Sequence, residues 1–157
     1  MDEDNYVKVY IEIEQFSNIK YEYNKDLQKL EIDRLLDPPY VYPYAYGFIP
    51  NTCADDGDEL DILIITNETL KNDTFYNVYI IGALNMADEK GIDEKVLCVL
   101  DKDYEKIKDI SDISNDIKLN IFEFFSNYKK NDPNKWSSVT NFINKIEAVK
   151  LYIKTQI

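Results

Sequence analysis

Histidine is missing from this sequence of 157 residues. Its absence excludes Ser-His-Asp and Cys-His nucleophile systems and removes the commonest zinc ligand in proteins. Cysteine is scarce as well: Cys53 and Cys98 lie far apart, so no disulfide framework is expected and a reducing cytoplasm fits better. Any reaction in this protein must therefore use carboxylates, lysine, arginine and tyrosine.

Long hydrophobic runs and a basic N-terminus are also missing. No apolar stretch approaches the ~18 residues of a membrane-spanning helix, and residues 1–4 are acidic where a targeting peptide would be basic. With 45% apolar and 31% charged residues, the chain can build a core and keep its surface hydrated. We expect one soluble globular domain, residues 1–157.

Positive charge is the scarcer sign, with 18 basic against 30 acidic residues and a net charge of −12. Such a molecule repels phosphate backbones and anionic lipid, so neither nucleic acid nor membrane is an expected partner. A polyanionic substrate could bind only where a cationic patch or a bound divalent metal reverses this field locally.

Short strands are predicted for the first part of the chain. Residues 7–13 and 19–24 alternate between apolar and polar side chains, which is typical of half-buried strands. Further strands are predicted at residues 30–35, 60–65, 78–84 and 96–100. Residues 37–47 contain three prolines and four tyrosines, which predicts an ordered loop rather than a helix.

Helical spacing replaces the strand pattern after Asp109. Ser114 is a suitable N-cap, and the first helix should end near Pro133. A second helix is predicted after Thr140 or Asn141, with one apolar face made of Phe142, Ile146, Val149 and Ile153. The expected architecture is mainly β within the α+β class: a compact antiparallel barrel or sheet with two helices packed against it.

Residues 55–61 hold four aspartates and a glutamate around Gly57, directly before an apolar strand. Crowded carboxylates raise one another's pKa and destabilise the fold unless a hard cation compensates them. An EF-hand fails on spacing, because Gly57 at the sixth loop position places Leu63 where the bidentate glutamate must be. The segment is therefore either a metal-binding turn or an ordinary solvated acidic turn.

A second acidic turn spans residues 88–95, and Asp88 and Asp93 could reach the same cations if its flanking strands neighbour the first. Groups suited to phosphate oxygens are spread along the chain: Lys20, Arg34, Tyr46, Tyr128 and Lys129. Taken singly, each has an ordinary explanation as a surface charge or a core aromatic. Only their conjunction points to a site.

These residues stand in segments that resemble the soluble (family I) inorganic pyrophosphatases, in their short bacterial form. The most specific segment is Asp56-Gly57-Asp58-Glu59-Leu60-Asp61-Ile62. Further matching segments follow the family's order: Ile11-Glu12-Ile13, Ile19-Lys20-Tyr21-Glu22, Asp33-Arg34, Tyr42-Pro43, Tyr46-Gly47, Met86-Ala87-Asp88-Glu89, Asp93-Glu94-Lys95, Phe124-Phe125-Ser126-Asn127-Tyr128-Lys129 and Lys135-Trp136. The resemblance covers nearly the whole chain.

The resemblance implies an OB-like closed barrel of five strands with two helices, and hydrolysis of pyrophosphate to two phosphates with several Mg²⁺ ions. Asp58 would be the base that activates water. The implied magnesium ligands are the carboxylates of Asp56, Asp61, Asp88, Asp93, Glu22 and Glu12. The implied phosphate-binding groups are Lys20, Arg34, Tyr46, Tyr128, Lys129 and Lys95. A homo-oligomer, a hexamer by resemblance, is also implied, although this chain lacks the histidines that bacterial relatives commonly bring to subunit contacts.

Three departures from the family pattern leave these side chains in place: Glu59 stands where most members have proline, Ala45 replaces a common asparagine, and one residue is missing between Glu12 and Lys20. Two rival functions follow from the residues. A silent barrel that binds calcium or serves as an acidic interaction module would bind metal without turnover, but leaves Lys20, Arg34 and Tyr128 unexplained. An OB-type binder of single-stranded nucleic acid would explain the tyrosine-rich loop, but the net charge argues against it.

Overall fold

The computed structural model describes residues 3–157, so Met1 and Asp2 of the acidic N-terminal stretch lie outside the described residues. The strands are β1 (Tyr6–Ile13), β2 (Ile19–Asn24), β3 (Lys29–Leu35), β4 (Ala45–Ile49), β5 (Leu60–Ile64), β6 (Thr74–Asp88), β7 (Gly91–Ile92), β8 (Lys95–Leu100) and β9 (Ser137–Asn144). The helices are α1 (Asn115–Asn127) and α2 (Lys145–Thr155), with short 3-10 helices at Glu3–Asn5, Asp101–Asp103 and Ile110–Asp112.

Five strands close into a ring in the order β1, β4, β5, β8, β6 and back to β1. Every neighbouring pair is antiparallel except β5 and β8, which run parallel. Strands β7 and β9 also pair with the long strand β6 in antiparallel fashion. Strands β2 and β3 form a separate hairpin. The predicted mainly β architecture with a closed five-stranded barrel and two helices is confirmed.

The core has two clusters because the barrel strands bury both faces. In β5, Leu60, Ile62 and Ile64 belong to a cluster that contains side chains from all five strands of the ring. Leu63 belongs to a second cluster, which contains Phe124 and Phe125 of α1. Alternation along a strand places Asp61 on the same face as Leu63. This register turns the carboxylate of Asp61 toward the side of the barrel that α1 covers.

Strand β1 corrects one expectation. Residues 7–13 were expected to be half-buried, but from Val9 to Ile13 every side chain is buried, including Tyr10 and Glu12. The backbone N–H of Tyr23 in β2 donates to the Glu12 carboxylate at 2.8 Å, so the hairpin covers the face that was expected to meet water.

The second helix starts later than predicted. Residues 137–144 form strand β9, which pairs with β6, and α2 begins at Lys145 with Asn144 as its N-cap. The β-branched and aromatic side chains of this stretch favour a strand once an edge is available. The predicted apolar face is wrong as well, because Ile146 and Ile153 are exposed while Ala148 is buried.

Helix α1 and the tyrosine-rich segment shift by a few residues. Ser114 caps α1 as predicted, accepting from the backbone N–H of Ile117, but the helix ends at Asn127 rather than near Pro133. Strand β4 occupies the end of the predicted 37–47 loop and places Tyr46 in the barrel wall. Both helices, of 13 and 11 residues, are too short and too polar to cross a membrane.

Candidate active site

A polar cleft of about 200 Å³ opens between the barrel and the segment that follows α1. It is lined by carboxylates, lysines and tyrosines: Lys20, Glu22, Asp33, Tyr42, Tyr46, Asp56, Asp58, Asp61, Asp88, Glu89, Lys90, Asp93, Lys95, Tyr128, Lys129 and Lys135. We call Tyr46, Asp61, Asp93 and Lys95 the floor of the cleft, and Lys20, Asp33, Asp56 and Asp58 its rim.

A tight turn before β5 presents two of the rim carboxylates, Asp56 and Asp58. The backbone N–H of Gly57 donates to the carbonyl of Ala54 at 2.9 Å, and the N–H of Ala54 donates to the carbonyl of Asp58 at 2.8 Å. Gly57 has a φ of 87°, which only glycine adopts freely. The N–H of Asp58 donates to the Asp56 carboxylate at 3.0 Å, so the turn holds both acids beside the cleft.

Lys95 organises the floor. Parallel pairing of β5 with β8 places it opposite Asp61. Its Nζ donates to Asp61 at 2.7 Å, to Asp93 at 2.8 Å and to the hydroxyl of Tyr46 at 2.9 Å. With 1% of its surface exposed, Lys95 is a buried ammonium whose three donors are all used.

Burial and charge oppose each other on this floor. Burial disfavours the charged form of Lys95, but Asp61 and its other anionic neighbours outweigh that effect and raise the lysine pKa well above its ordinary value. Burial raises the pKa of Asp93 to about 6, and Asp61 adds to that rise while Lys95 counters it. Burial and nearby carboxylates, Asp93 among them, also raise the pKa of Asp56. The floor therefore holds more negative charge than Lys95 neutralises.

Lys129 makes a second buried ion pair in the lining of the cleft. It lies two residues after the end of α1, and its Nζ donates to Asp88 at 2.8 Å and lies 3.3 Å from Glu89. Burial opposes ionisation of Asp88, but the hydrogen bond from Lys129 lowers the carboxyl pKa below its ordinary range. Glu89 also accepts the backbone N–H of Trp136 at 3.1 Å, which ties the segment after α1 to the end of β6.

The rim pair is more exposed. Lys20 on β2 donates to Asp33 on β3 at 2.9 Å, with 28% and 32% of their side-chain surfaces exposed. Burial opposes the ionisation of Asp33, but Lys20 lowers its carboxyl pKa overall.

Asp58 is exposed, and among residues 3–157 no side chain donates a hydrogen bond to its carboxylate.

Arg34 lies beside the cleft rather than in its lining. Its guanidinium is 6.0 Å from the ring of Tyr128, and Nη1 is 3.8 Å from the Asp132 carboxylate. Its Nε and Nη2 are buried, yet they have no hydrogen-bond partner within residues 3–157. Buried charged donors without partners are costly, so these atoms favour an anionic ligand.

Glu12 also lies outside the lining. Burial raises the pKa of Glu12 to about 8, although the hydrogen bond from the Tyr23 N–H acts in the opposite direction. All the other residues predicted for the site line the cleft, while Glu12 and Arg34 stand behind it. Five lining residues had no predicted role: Asp33, Tyr42, Glu89, Lys90 and Lys135. All but Lys90 stand inside the matching segments, which is the signal that could have identified them.

The donor set suits a hard divalent cation. Its acids offer only oxygen ligands, which Mg²⁺ prefers. Burial is the main cause of the raised pKa values of Asp56 and Asp93, neighbouring carboxylates add to them, and a bound cation would favour the ionised forms. Within residues 3–157, no three Asp, Glu or Cys side chains stand close enough together to hold an ion as they are. The lysines explain this spacing, because Lys95 lies between Asp61 and Asp93 while Lys129 faces Asp88.

Fold and cleft together define a class of protein: a small α+β protein built on a closed five-stranded barrel, with one cleft in which carboxylates alternate with lysines and tyrosines. The comparisons with known proteins narrow that class. The family described as inorganic pyrophosphatase matches residues 9–156. The chain belongs to the inorganic pyrophosphatase family.

Individual relatives are similar to this protein in sequence and structure over nearly the whole chain. The inorganic pyrophosphatase of Nanoarchaeum equitans is 44% identical over 154 residues, covering 96% of this chain and 95% of its own. A solved structure of the Helicobacter pylori enzyme superposes with a TM-score of 0.93 at 38% identity, covering 99% of this chain and 94% of the other. The Thermus thermophilus structure gives a TM-score of 0.90 at 37% identity, covering 96% and 89%.

Proposed function

We propose that this chain hydrolyses inorganic pyrophosphate to two orthophosphate ions in the cleft, with Asp58 as the general base. The observation that carries the proposal is the meeting, in one cleft, of acids from two separate turns with lysines and tyrosines from β2, β4, β8 and the end of α1. The oxygen of a water molecule bonds to one phosphorus while Asp58 accepts one of its protons, and the bridging P–O bond breaks. The other proton stays on the phosphate that the water has joined, and the proton on Asp58 passes to the leaving phosphate, which restores the carboxylate.

Asp58 is suited to accept that proton. Its carboxylate is exposed at the rim, and its oxygens are free of side-chain donors among the described residues, so a water molecule can hydrogen-bond to it. The turn holds its backbone through the contacts of Ala54 and Asp56. General-base catalysis of this kind contributes a factor of about 10²–10⁴.

The cationic groups would bind and orient the phosphoryl oxygens. Arg34 brings two buried donors that have no hydrogen-bond partner among residues 3–157, and Lys20 and Lys129 both line the cleft. Lys95, with Tyr46, adds fixed positive charge from the floor, and the hydroxyl of Tyr128 lines the same space. Charge-assisted donors positioned in advance stabilise the negative charge that shifts onto the leaving phosphate.

Magnesium is the cofactor that the cleft would hold. We infer that its ligands come from Asp56, Asp61, Asp88 and Asp93, with Glu22 in the lining and Glu12 behind it. When bound, Mg²⁺ polarises phosphoryl oxygens and lowers the pKa of coordinated water. The protein's part is to supply oxygen ligands and to let the ammonium groups of Lys95 and Lys129 share those carboxylates.

Chelation tests whether the reaction requires a divalent metal ion. Phosphate release from pyrophosphate should be fast with Mg²⁺ and fall to background once a chelator removes divalent ions, then return when Mg²⁺ is restored. Undiminished phosphate release in the chelated sample would refute a metal-dependent reaction.

Asp58→Asn tests the base, because an amide cannot accept the proton. We expect kcat to fall about 100-fold or more. Asp55→Asn is the matched control: it removes a carboxylate from the same turn, but Asp55 is exposed and does not line the cleft. Equal activities for the two variants would exclude Asp58 as the base.

We also propose the domain organisation, localisation and assembly of the protein. It forms a single domain over residues 1–157, is located in the cytoplasm and assembles as a homo-oligomer, a hexamer by family resemblance. Neither nucleic acid nor membrane is a proposed partner. Sedimentation velocity of the purified chain would test the assembly, since a monomer or a dimer would rule out the hexamer.

A further inference from the structure

A second cavity, of about 490 Å³, lies on another part of the barrel surface and shares no lining residue with the cleft. Its volume falls in the range of small-molecule sites, roughly 300–1,000 Å³. Its walls come from β1, β4, the start of β6, the β2–β3 hairpin, the segments before β5 and β6 and the residues after α2: Tyr10, Tyr23, Lys25, Gln28, Phe48, Pro50, Asn51, Thr52, Glu59, Asp73, Phe75 and Ile157. We call it the aromatic pocket.

Four rings define this pocket. Tyr10 is the central one, with ring centroids 5.2 Å from Tyr23, 5.4 Å from Phe48 and 5.2 Å from Phe75. The rings meet Tyr10 at interplanar angles of 71°, 50° and 56°, so none is stacked flat on it. Tilted rings leave part of their faces open, and Phe75 is 55% exposed.

The polar groups of the pocket are mostly acidic. Asp73 accepts the hydroxyl of Tyr10 at 2.6 Å, and Glu59 pairs with Lys25 at 2.7 Å. Two carboxylates against one lysine leave the lining negative, within a molecule whose net charge is −12. An anion such as phosphate is therefore disfavoured here, whereas a cation is attracted both by the acids and by the ring faces.

The protein's own cations already use these features. The Nζ of Lys8 lies 5.7 Å from the centroid of the Phe75 ring. The side chain of Lys25 reaches Glu59 although 72% of its surface is exposed, and the Glu59 hydrogen bond raises its pKa. An exposed lysine of this kind can give up Glu59 to a competing cation.

We propose that the aromatic pocket binds a small planar organic cation, an amidinium or guanidinium group. Such a group stacks on aromatic faces while its N–H donors match the two oxygens of a carboxylate. Its flat face would lie against the rings around Tyr10, and its donors would meet Glu59 and Asp73. This site is separate from the pyrophosphate cleft and does not depend on the reaction there.

Benzamidinium is the probe, and two molecules of the same shape are its controls: neutral benzamide and anionic benzoate. Calorimetric titration at low ionic strength should give saturable binding of one benzamidinium per chain. Benzamide should bind at least five-fold more weakly, and benzoate should not bind. Equal affinities for the three would show that shape alone is recognised and would overturn the proposal.

Two variants locate the binding. Phe75→Ala removes an exposed ring and Asp73→Asn removes a carboxylate. Each substitution should lower the affinity for benzamidinium by about five-fold or more. Phe16→Ala is the matched control, since Phe16 is 68% exposed and outside the pocket. Thermal unfolding and pyrophosphate hydrolysis of each variant check that the protein is folded.

An unchanged affinity in both pocket variants would overturn the assignment. Failure of benzamidinium to bind the assembled protein would also overturn the assignment. Such a failure is expected if a second copy of the chain covers this surface.

Discussion

The floor and the rim of the cleft hold the same kinds of side chain in different surroundings. On the floor, Lys95 is 1% exposed and contacts Asp61, Asp93 and Tyr46. At the rim, Lys20 and Asp33 form a similar pair but keep about a third of their surfaces in water. A buried charge left without its partner is far more costly than an exposed one. The floor should therefore matter for stability and function together, and the rim mainly for function.

Lys95→Met should produce the largest loss of stability, because it leaves the buried Asp93 and the half-buried Asp61 without their cation. We expect the free energy of unfolding to fall by about 3–5 kcal/mol. Urea unfolding followed by circular dichroism, with chelator present so that no divalent ion replaces the lysine, measures it. Lys102→Met, at a lysine 54% exposed, is the control, with an expected loss below about 1 kcal/mol. Similar losses in the two variants would contradict the comparison.

Glu12 extends the comparison to a buried acid without a lysine partner among residues 3–157. Burial raises its pKa from 4.5 to about 8, so the folded state holds a proton that the unfolded state has lost. The free energy of unfolding should thus decline as pH rises from about 4.5 to 8, by on the order of 5 kcal/mol, and level off above that window.

Glu12→Gln should flatten that decline, because the amide does not titrate. The measurement is a series of urea titrations in metal-free buffer across the pH window. Glu105→Gln, at an exposed position, should keep the wild-type slope. If the Glu12 variant also keeps it, the buried carboxyl is not the source of the pH dependence.

Lys20→Met should have the smallest effect on stability and a clear effect on turnover. Its ion pair with Asp33 is partly exposed, so the loss of unfolding free energy should stay within about 1 kcal/mol. Since the proposed role of Lys20 is to bind phosphoryl oxygens, kcat/KM for pyrophosphate should fall about ten-fold or more. A stability loss as large as that of Lys95→Met would remove the distinction between floor and rim.

Most strands were predictable because their side chains alternate or form short apolar runs that no helix would explain. The failures occur where a partner decides the structure. Residues 137–144 carry helical spacing as well as β-branched side chains, and the free edge of β6 selects the strand. Strand β4 was missed because its flanking prolines and tyrosines suggested a loop, while pairing with β1 and β5 fixes it as the closing strand of the barrel.

The predicted site residues gather almost entirely in one cleft, and the differences are again matters of tertiary contact. Nothing in the sequence indicated that Arg34 and Glu12 would stand behind the lining, nor that Glu89 would join Lys129 to the backbone of Trp136. These positions depend on how the β2–β3 hairpin and the segment after α1 pack against the barrel. Such packing involves residues far apart in the chain.

By itself, the sequence determined the family, the chemical repertoire and the clustering of acids around Gly57, because these depend on residue identity and local spacing. Only the tertiary structure decided that Lys95 would be buried between Asp61 and Asp93, and that four rings would form a second pocket around Tyr10. The physical reason is that burial, which sets the pKa of each acid and the strength of each ion pair, arises only when distant strands close the barrel.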